Sequence, residues 1–335
     1  MNIALFLKHV SLSILGFLLI LIALIVLAVI WMSAMPGNAT PSLNTLSDKS
    51  LVERLESHVK ALAFERNVRH VQALDRAAAY IEDELKSYGY EVTSQWFDTE
   101  GVRVRNLVAV VPAKPGSADT SLVVVGAHYD SARGTPGADD NASGVAGLLE
   151  IARAMKAGNA PHDKEIRLVF FTNEEPPYFR THFMGSYRYA DMLVRERRPV
   201  AAMLSLEMLG YFCDEPGCQR YPFPLSLAFP DRGNFIGFVG NIASRELTRK
   251  IVKSFRSHAS IASEGISAPA FIPGVDFSDQ QWFWAFGFPA VMVTDTSFMR
   301  YAHYHRSTDT PEKLDYRRMS QVVEALKRTI ADLAS

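Results

Sequence analysis

The chain has 335 residues, of which 48% are apolar, and its formal net charge is −1. This length is enough for one large hydrophobic core or two small ones. Lys and Arg (35) balance Asp and Glu (36), which excludes the basic surface typical of nucleic-acid binding, so we expect no nucleic-acid partner.

The N-terminal segment differs in composition from the rest of the chain. No charged side chain occurs between Lys8 and Asp48, and the apolar run is longer than the roughly 20 residues that span a bilayer. A cleaved signal peptide has a shorter apolar core of about 7–15 residues. We therefore predict an uncleaved transmembrane anchor over 1–35 and a linker over 36–50, which is rich in Pro, Gly, Asn, Ser and Thr.

Two features bear on the cellular location of residues 51–335. Lys8 precedes the apolar run and favours a cytoplasmic N-terminus, which predicts a single-pass protein with an extracytoplasmic domain. Cys213 and Cys218 flank a Pro-Gly turn in CDEPGC. We interpret them as a small disulfide, which persists outside the cytoplasm; two free thiols are the alternative.

Residues 51–335 alternate between helical patterns and short apolar, β-branched runs. A helical pattern extends over 51–88, with Gly89 as its stop signal. Strand-like runs occur at 106–112, 121–127, 166–172, 200–206, 235–240 and 289–294. Further helical patterns occur at 142–155, 185–194, 244–255 and 316–334.

The strand-like runs are apolar on both faces. This pattern predicts one α/β domain with a mixed, largely parallel central sheet and helices on both faces. In such folds the functional site lies beyond the carboxyl ends of the strands. The residues that follow the runs are therefore the candidates for a site.

Metal-capable side chains follow four of these runs. They are His128, Asp130, Asp139, Asp140, Glu174, Glu175, Glu207, His303 and His305. Any one of them alone would be unremarkable, since an Asp before a helix is usually an N-cap. Carboxylates gathered at one edge repel each other unless a cation neutralises them, so the set indicates a metal site.

In combination these residues resemble peptidase family M28, whose members are aminopeptidases with two catalytic zinc ions. The resemblance covers about 65–330. It rests on HYD at 128–130, GADDNASG at 137–144, the Glu pair at 174–175, Glu207, and HRSTDT at 305–310. It implies a zinc exopeptidase fold and peptide substrates.

The resemblance also implies a ligand set for two zinc ions. Asp140 would bridge the two ions, with His128 and Glu207 on one, and Glu175 and His305 on the other. The family often has Asp where Glu207 stands.

Three further roles follow from the resemblance. Asp130 would hold the tautomer of the His128 imidazole. Glu174 would act as general base toward a water between the zinc ions. Tyr304 would stabilise the oxyanion, or else is a packed aromatic residue.

Other readings remain open. A glutaminyl cyclase, an acyltransferase on a similar fold, uses one zinc and lacks the motif histidine that His128 provides here. A receptor-like relative without catalysis would have lost ligands. Relatives often have histidine at the position of Gln280, so no role is assigned there. We interpret Asp309 as a helix start and 279–288 as a core helix.

Overall fold

The computed structural model of the protein describes residues 3–41, 48–158 and 161–335. The helices in these ranges are α1 (Ile3–Ser33), α2 (Lys49–Leu62), α3 (Val71–Ser87), α4 (Gly144–Gly158), α5 (Gly185–Arg195), α6 (Arg245–His258), α7 (Gln280–Ala285) and α8 (Tyr316–Ala334). The strands are β1 (Val92–Thr99), β2 (Val102–Val111), β3 (Leu122–His128), β4 (Glu165–Phe171), β5 (Val200–Glu207), β6 (Phe235–Gly240), β7 (Ala262–Ser267) and β8 (Ala290–Thr294).

The strands form one sheet in the order β1-β2-β4-β3-β5-β8-β6-β7. The neighbouring pairs β4-β3, β3-β5 and β5-β8 are parallel, as is β6-β7. The pairs β1-β2, β2-β4 and β6-β8 are antiparallel. The four central strands therefore run the same way and end at one edge, which confirms the predicted mixed, largely parallel sheet.

Helices cover both faces of this sheet. Successive residues of a strand point to opposite faces, and β3 shows the result. Val123 and Val125 pack in a core cluster with α2, α3, α4, α6 and α8, whereas Leu122 and Val124 pack in a second cluster with α5 and α7. The predicted core helix over 279–288 corresponds to α7, whose Phe283 is buried in this second cluster.

The helical pattern over 51–88 is divided into α2 and α3, so the prediction of one continuous helix was wrong. The physical reason is Arg66, whose guanidinium is fully buried and donates to the carbonyl oxygens of Leu62 (2.7 Å) and Phe64 (3.1 Å). These bonds satisfy carbonyls at the C-terminal end of α2 and turn the chain inward. Both segments are amphipathic, which conceals the break in the sequence.

Two strands were not predicted. The residues of β1 alternate between half-buried and exposed positions, and β7 has the polar sequence ASEGIS. Both lie at the edges of the sheet, where one side of the strand has no strand neighbour and less apolar surface is needed. Their sequences therefore lack the doubly apolar signal that marks the central strands.

The helix α1 is long and apolar enough to cross a membrane. Residues Ser13–Ser33 have a mean hydropathy of 3.3, a property that a signal sequence near the N-terminus shares. Of the predicted linker over 36–50, residues 42–47 lie outside the described residues, and α2 begins at Lys49. Residues 36–41 lie against the edge strand β7, where Ser263 donates its backbone N–H to Ala39 O (2.9 Å).

The loop after β5 contains the predicted disulfide. Cys213 and Cys218 are bonded to each other, which confirms the interpretation of CDEPGC and leaves no free cysteine in the chain.

Candidate metal centre

The carboxyl ends of the central strands bring the predicted ligands together. His128 is the last residue of β3 and Glu207 is the last residue of β5. Glu175 follows β4, and His305 lies in the loop after β8. Asp140 comes from a kinked turn over Ala138–Ser143 that leads into α4. Parallel strands end at one edge, so ligands far apart in the sequence converge there.

The five side chains form two groups that share Asp140. In the first group, His128 Nε2 lies 3.2 Å from Glu207 Oε2 and 3.4 Å from Asp140 Oδ1. In the second group, His305 Nε2 lies 3.1 Å from Asp140 Oδ2 and 3.1 Å from Glu175 Oε2. Within each group the potential ligand atoms all lie within 4.8 Å of one another. The two oxygens of Asp140 thus face different groups.

The donor atoms fit a bound cation. Both ring nitrogens of His128 are buried without a hydrogen-bond partner, and so is Glu175 Oε1. Buried polar atoms are normally paired, and buried carboxylates require a compensating charge. Imidazole nitrogens and carboxylate oxygens are ligands that zinc binds in catalytic sites.

The pKa values of the buried carboxylates are shifted because several acids lie close together in this site. Burial raises the pKa of Glu175 to about 7, and the charge of Asp140 adds to the rise. Burial also raises the pKa of Glu174 well above its usual range, with contributions from Glu175 and Glu207 that His128 opposes. For Asp140, burial is outweighed by the imidazoles of His128 and His305, which hold its pKa below the usual range. The protein's own cations do not balance these acids.

Asp130 connects the first histidine to the Glu-Glu pair. Its Oδ1 lies 3.4 Å from His128 Nδ1, in line with the predicted role on the imidazole. The same carboxylate accepts the backbone N–H of Glu174 (Oδ1, 3.1 Å) and of Glu175 (Oδ2, 3.1 Å). Asp130 therefore also fixes the backbone at Glu174 and Glu175, a role that the sequence did not reveal.

Asp309 positions the turn that carries Asp140. Its Oδ1 accepts the backbone N–H of Asp139 (2.9 Å) and its Oδ2 that of Asp140 (3.2 Å). Tyr301 donates its hydroxyl to Asp309 Oδ1 (2.8 Å). The interpretation of Asp309 as a helix start was wrong, because Thr310 is the residue that caps the short helical turn Pro311–Lys313.

Two further side chains that sequence reasoning missed also shape this turn. Asn141 donates to Leu206 O (2.8 Å) and accepts the backbone N–H of Met208 (3.0 Å), which ties the turn to the end of β5 beside Glu207. The buried Arg66 donates to Tyr129 O (2.7 Å) and Gly137 O (2.9 Å). Asn141 could have been noticed as part of the quoted motif, whereas Arg66 has no local signal.

A family model supplies the assignment that geometry alone does not give. The model described as peptidase family M28 matches residues 106–330. The chain belongs to peptidase family M28. It is accordingly a hydrolase of the zinc-dependent peptidase type.

Relatives of this M28 chain agree with that assignment. YfbL of Escherichia coli strain K12, described as an uncharacterized protein, is 40% identical over 298 residues, which cover 86% of this chain and 90% of YfbL. Aminopeptidase YwaD of Bacillus subtilis strain 168 is 41% identical over 90 residues, which cover 27% of this chain and 18% of YwaD. The chain thus spans most of YfbL but a small part of YwaD.

Solved structures share the M28 fold at low sequence identity. The LapA aminopeptidase of Legionella pneumophila superposes with a TM-score of 0.63 at 18% identity, covering 85% of this chain and 71% of LapA. A glutaminyl cyclase of Fimbriiglobus ruber superposes with a TM-score of 0.61 at 18% identity, covering 89% of this chain and 99% of the cyclase. The fold is therefore common to peptidases and cyclases, and the site must decide between them.

The segment 278–280 of the M28 domain lies directly behind the first group of ligands. Ser278 donates its hydroxyl to Glu207 Oε2 (2.6 Å) and so orients that carboxylate. Gln280, which stands where relatives often have histidine, is fully buried and donates to Val275 O (3.0 Å). Its position in the core agrees with the absence of an assigned role in the chemistry.

The two predicted catalytic side chains lie next to different histidines of the ligand set. Glu174 Oε2 is 4.0 Å from His128 Nε2. The ring of Tyr304 stacks on the imidazole of His305, with 3.9 Å between centroids. Burial raises the pKa of Tyr304 above its usual range, as do the charges of Asp140, Glu175, Glu174 and Glu207, so its hydroxyl keeps its proton.

Proposed function

We propose that this protein is a membrane-anchored aminopeptidase with two zinc ions at the carboxyl edge of its sheet. The observation that supports it most directly is the division of the Asp140 carboxylate. Its Oδ1 is 3.4 Å from His128 Nε2 and its Oδ2 is 3.1 Å from His305 Nε2. A carboxylate that faces two separate ligand groups is suited to bridging two cations.

Each residue of the site would then have a distinct task. His128, Glu207 and Asp140 would hold one zinc, and Asp140, Glu175 and His305 the other. Zinc in such a site lowers the pKa of a bound water to about 7 and polarises a carbonyl oxygen. Asp130, whose Oδ1 lies 3.4 Å from His128 Nδ1, would orient that imidazole, and it accepts the backbone N–H groups of the Glu pair.

Glu174 is suited to moving the proton in peptide hydrolysis. Its backbone N–H is held by Asp130, and its carboxylate lies beside His128 without belonging to either ligand group. Glu174 accepts a proton from the attacking water and returns it to the amine that leaves.

Tyr304 is suited to donating a hydrogen bond to the oxygen of the cleaved carbonyl. Its ring is stacked on His305, and burial, together with the charges of the surrounding carboxylates, raises the pKa of its phenol. A neutral donor held next to the reacting carbonyl stabilises the negative charge that develops there.

An apolar cavity beside the ligands supports a preference for an apolar N-terminal residue. The cavity has a volume of about 50 Å³, reaches Glu207, and is walled by Phe277, Met292 and Phe298, among others. A side chain bound there would place the adjacent peptide bond at the metal site. The name of the relative YwaD, an aminopeptidase, supports the removal of N-terminal residues without indicating which side chain is preferred.

The cyclase alternative has the fold in its favour but not the site. The two complete ligand groups include His128, the residue that cyclases lack, and Glu207 with it. A receptor-like relative is likewise disfavoured, because all five ligand positions and Glu174 are occupied by suitable side chains.

Metal analysis combined with paired substrates tests the proposal. The purified protein should contain two zinc ions per chain and should hydrolyse aminoacyl anilides with a free amine but not their N-acetylated forms. His305→Ala should lose zinc. His303→Ala is the matched control, because His303 bonds Thr308 (2.8 Å) and lies outside both groups. One zinc per chain, with ammonia released from N-terminal glutamine, would establish the cyclase instead.

The helix α1 and the disulfide support the proposed location at a membrane. Ser13–Ser33 would span the bilayer, with the peptidase domain on the extracytoplasmic side. Cys213–Cys218 supports that side, because disulfides persist in oxidising compartments. A protein released from membranes by alkaline carbonate would contradict the anchor.

A further inference from the structure

Two loops of the peptidase domain carry its most exposed large apolar side chains. Phe223 and Leu227, in the loop between β5 and β6, are 80% and 73% exposed, and Phe271, in the loop between β7 and α7, is 85% exposed. The other exposed large apolar residues described outside α1, such as Trp96 and Val194, are at most 44% exposed. Soluble surfaces rarely concentrate such side chains without a binding role.

The same two loops contact the end of α1. Leu225, Ile266 and Val275 form a small apolar cluster, and Met32 of α1 packs against it. Tyr221, Phe229 and Ile272 complete the packing. The exposed tips at 223, 227 and 271 therefore belong to loops whose inner sides are fixed to the apolar helix. We call these tips the loop surface.

The position of the contact along α1 sets its depth. The candidate span ends at Ser33, so Met32 lies at its boundary. Val29 is only 8% exposed, although its neighbours on the free side of α1, such as Ile30, are 57% exposed. Four residues of helix separate Val29 from Ser33, a rise of about 6 Å. The domain thus packs against α1 within the candidate span, and the loops that carry the loop surface are attached close to the end of that span.

Arginine side chains on the helix α6 contact the last residues of α1 and the residues that follow it. Arg245 stacks on the Trp31 ring (4.3 Å to the centroid) and donates to Trp31 O (3.0 Å). Arg249 donates to Ala34 O, and Arg256 donates to Pro36 O (3.0 Å). Trp and Arg are typical of the interface, where rings and cations meet headgroups.

We propose that the loop surface inserts into the same leaflet in which α1 ends, so that the domain is held against the bilayer and not merely tethered to it. The partner is lipid, whose acyl chains would receive Phe223, Leu227 and Phe271, whereas the arginines of α6 hold the end of α1 against the domain. Apolar tips of this kind enter the boundary between headgroups and acyl chains to a depth of about 5–10 Å. The inference rests on the proposed membrane anchor and is independent of the peptidase chemistry.

Spin labels in the full chain reconstituted into vesicles with anionic lipid test the proposal. The two native cysteines are bonded to each other, so single introduced cysteines can be labelled selectively. Labels go at Phe271→Cys and Leu227→Cys, with Val194→Cys on α5 as the exposed control (43% exposed) and Ile20→Cys on α1 as the lipid reference (63% exposed). Collision rates with oxygen, which enters lipid, and with a water-soluble nickel chelate give the depth of each label.

The expected result is that labels at 271 and 227 collide more often with oxygen than with the nickel chelate, as at 20, whereas 194 shows the reverse. If the label at 20 collides mainly with oxygen but the labels at 271 and 227 collide mainly with the nickel chelate, α1 is in the membrane and the loop surface is not, which would overturn the proposal. Low collision with both reagents at 271 and 227 would show a covering protein surface, such as a second copy, and would also overturn it. If the label at 20 collides mainly with the nickel chelate, α1 is not in the membrane, and both the proposed anchor and this inference are wrong. Peptidase activity with soluble substrates would be unaffected by that outcome.

Discussion

Glu150 and Glu175 are both buried carboxylates, but only Glu150 is paired with arginine side chains of the protein. Arg54 Nε lies 2.9 Å from Glu150 Oε2, Arg153 Nη2 lies 3.0 Å from it, and His58 Nε2 lies 3.4 Å from Oε1. Burial alone would raise the pKa of Glu150, but hydrogen bonds from His58, Arg153 and Arg54 lower it to about 2. Glu150 joins α2 to α4 and is complete without a ligand.

At the sheet edge, burial and a neighbouring acid have a larger effect on the pKa of Glu175 than the nearby histidines. Burial and Asp140 raise the pKa of Glu175 to about 7, and its Oε1 has no partner among the described residues. The difference teaches that burial of an acid does not mark a functional site by itself. The informative feature is a deficit of protein cations around acids that the fold holds together.

The largest effect is expected from Asp140→Asn. This change removes the one negative charge that both ligand groups share, so zinc content and activity should both fall to background. Asp139→Asn is the matched control, since Asp139 is equally buried but accepts the backbone N–H of Gly210 (2.9 Å) and belongs to neither group. Zinc analysis and hydrolysis rates check both. Retention of two zinc ions by Asp140→Asn would refute the shared carboxylate.

A smaller loss is expected from Glu174→Gln, which removes a proton acceptor but no ligand. kcat should fall by roughly 10²–10⁴-fold with zinc content and fold unchanged. Glu175→Gln should instead lower zinc content and thermal stability together with the rate. Parallel measurements of zinc, kcat and melting temperature separate the two. If Glu174→Gln loses zinc and Glu175→Gln keeps it, the assigned roles are reversed.

A further step down is expected for Tyr304→Phe. The ring that stacks on His305 is kept and the hydroxyl is lost, so kcat should fall by about 10²-fold while KM and zinc content stay nearly constant. Unchanged kcat would assign Tyr304 to packing alone.

The smallest effect on activity is expected from Glu150→Gln, which should act on stability only. The folded pKa of about 2 is below the ordinary 4.5, so the ionised carboxylate stabilises the fold above about pH 4.5, and this contribution is lost as the pH falls toward 2. The variant should lose about 2 kcal/mol of unfolding free energy at pH 7, with a difference that shrinks in acid. Chemical denaturation at several pH values measures it. An altered zinc content would break the contrast between the two regions.

The sequence predicted the central sheet, and it identified the polar residues that the structure brings together at the sheet edge, but it did not identify the side chains that support them. Doubly apolar runs mark β3, β5 and β8, and the polar residues at their ends are visible in the sequence. Asp309 and Arg66 were not recognised, because they act through backbone groups of Asp139 and Gly137, which lie 170 and 71 residues away in the chain. Such contacts depend on the folded path of loops and leave no periodicity.

The edge strand and the break after α2 were missed for related reasons. β7 is polar because it is covered on one side by residues 36–41, and not by another strand. Arg66 is polar in a region where helical periodicity continues. In both places a tertiary contact replaces the local pattern on which the prediction depends.

The bond between Ser263 N and Ala39 O (2.9 Å) has a consequence for the range of the enzyme. Ala39 lies six residues after the end of the candidate span, so the linker between the span and the first contact with β7 is very short. A long flexible linker would allow an active site to reach a large volume of solution around its anchor. If α1 is the membrane anchor proposed above, this short connection would confine the active site to a thin layer along the membrane plane. Substrates would be met by lateral diffusion or as chain ends that emerge within that layer, at an effective concentration set by geometry.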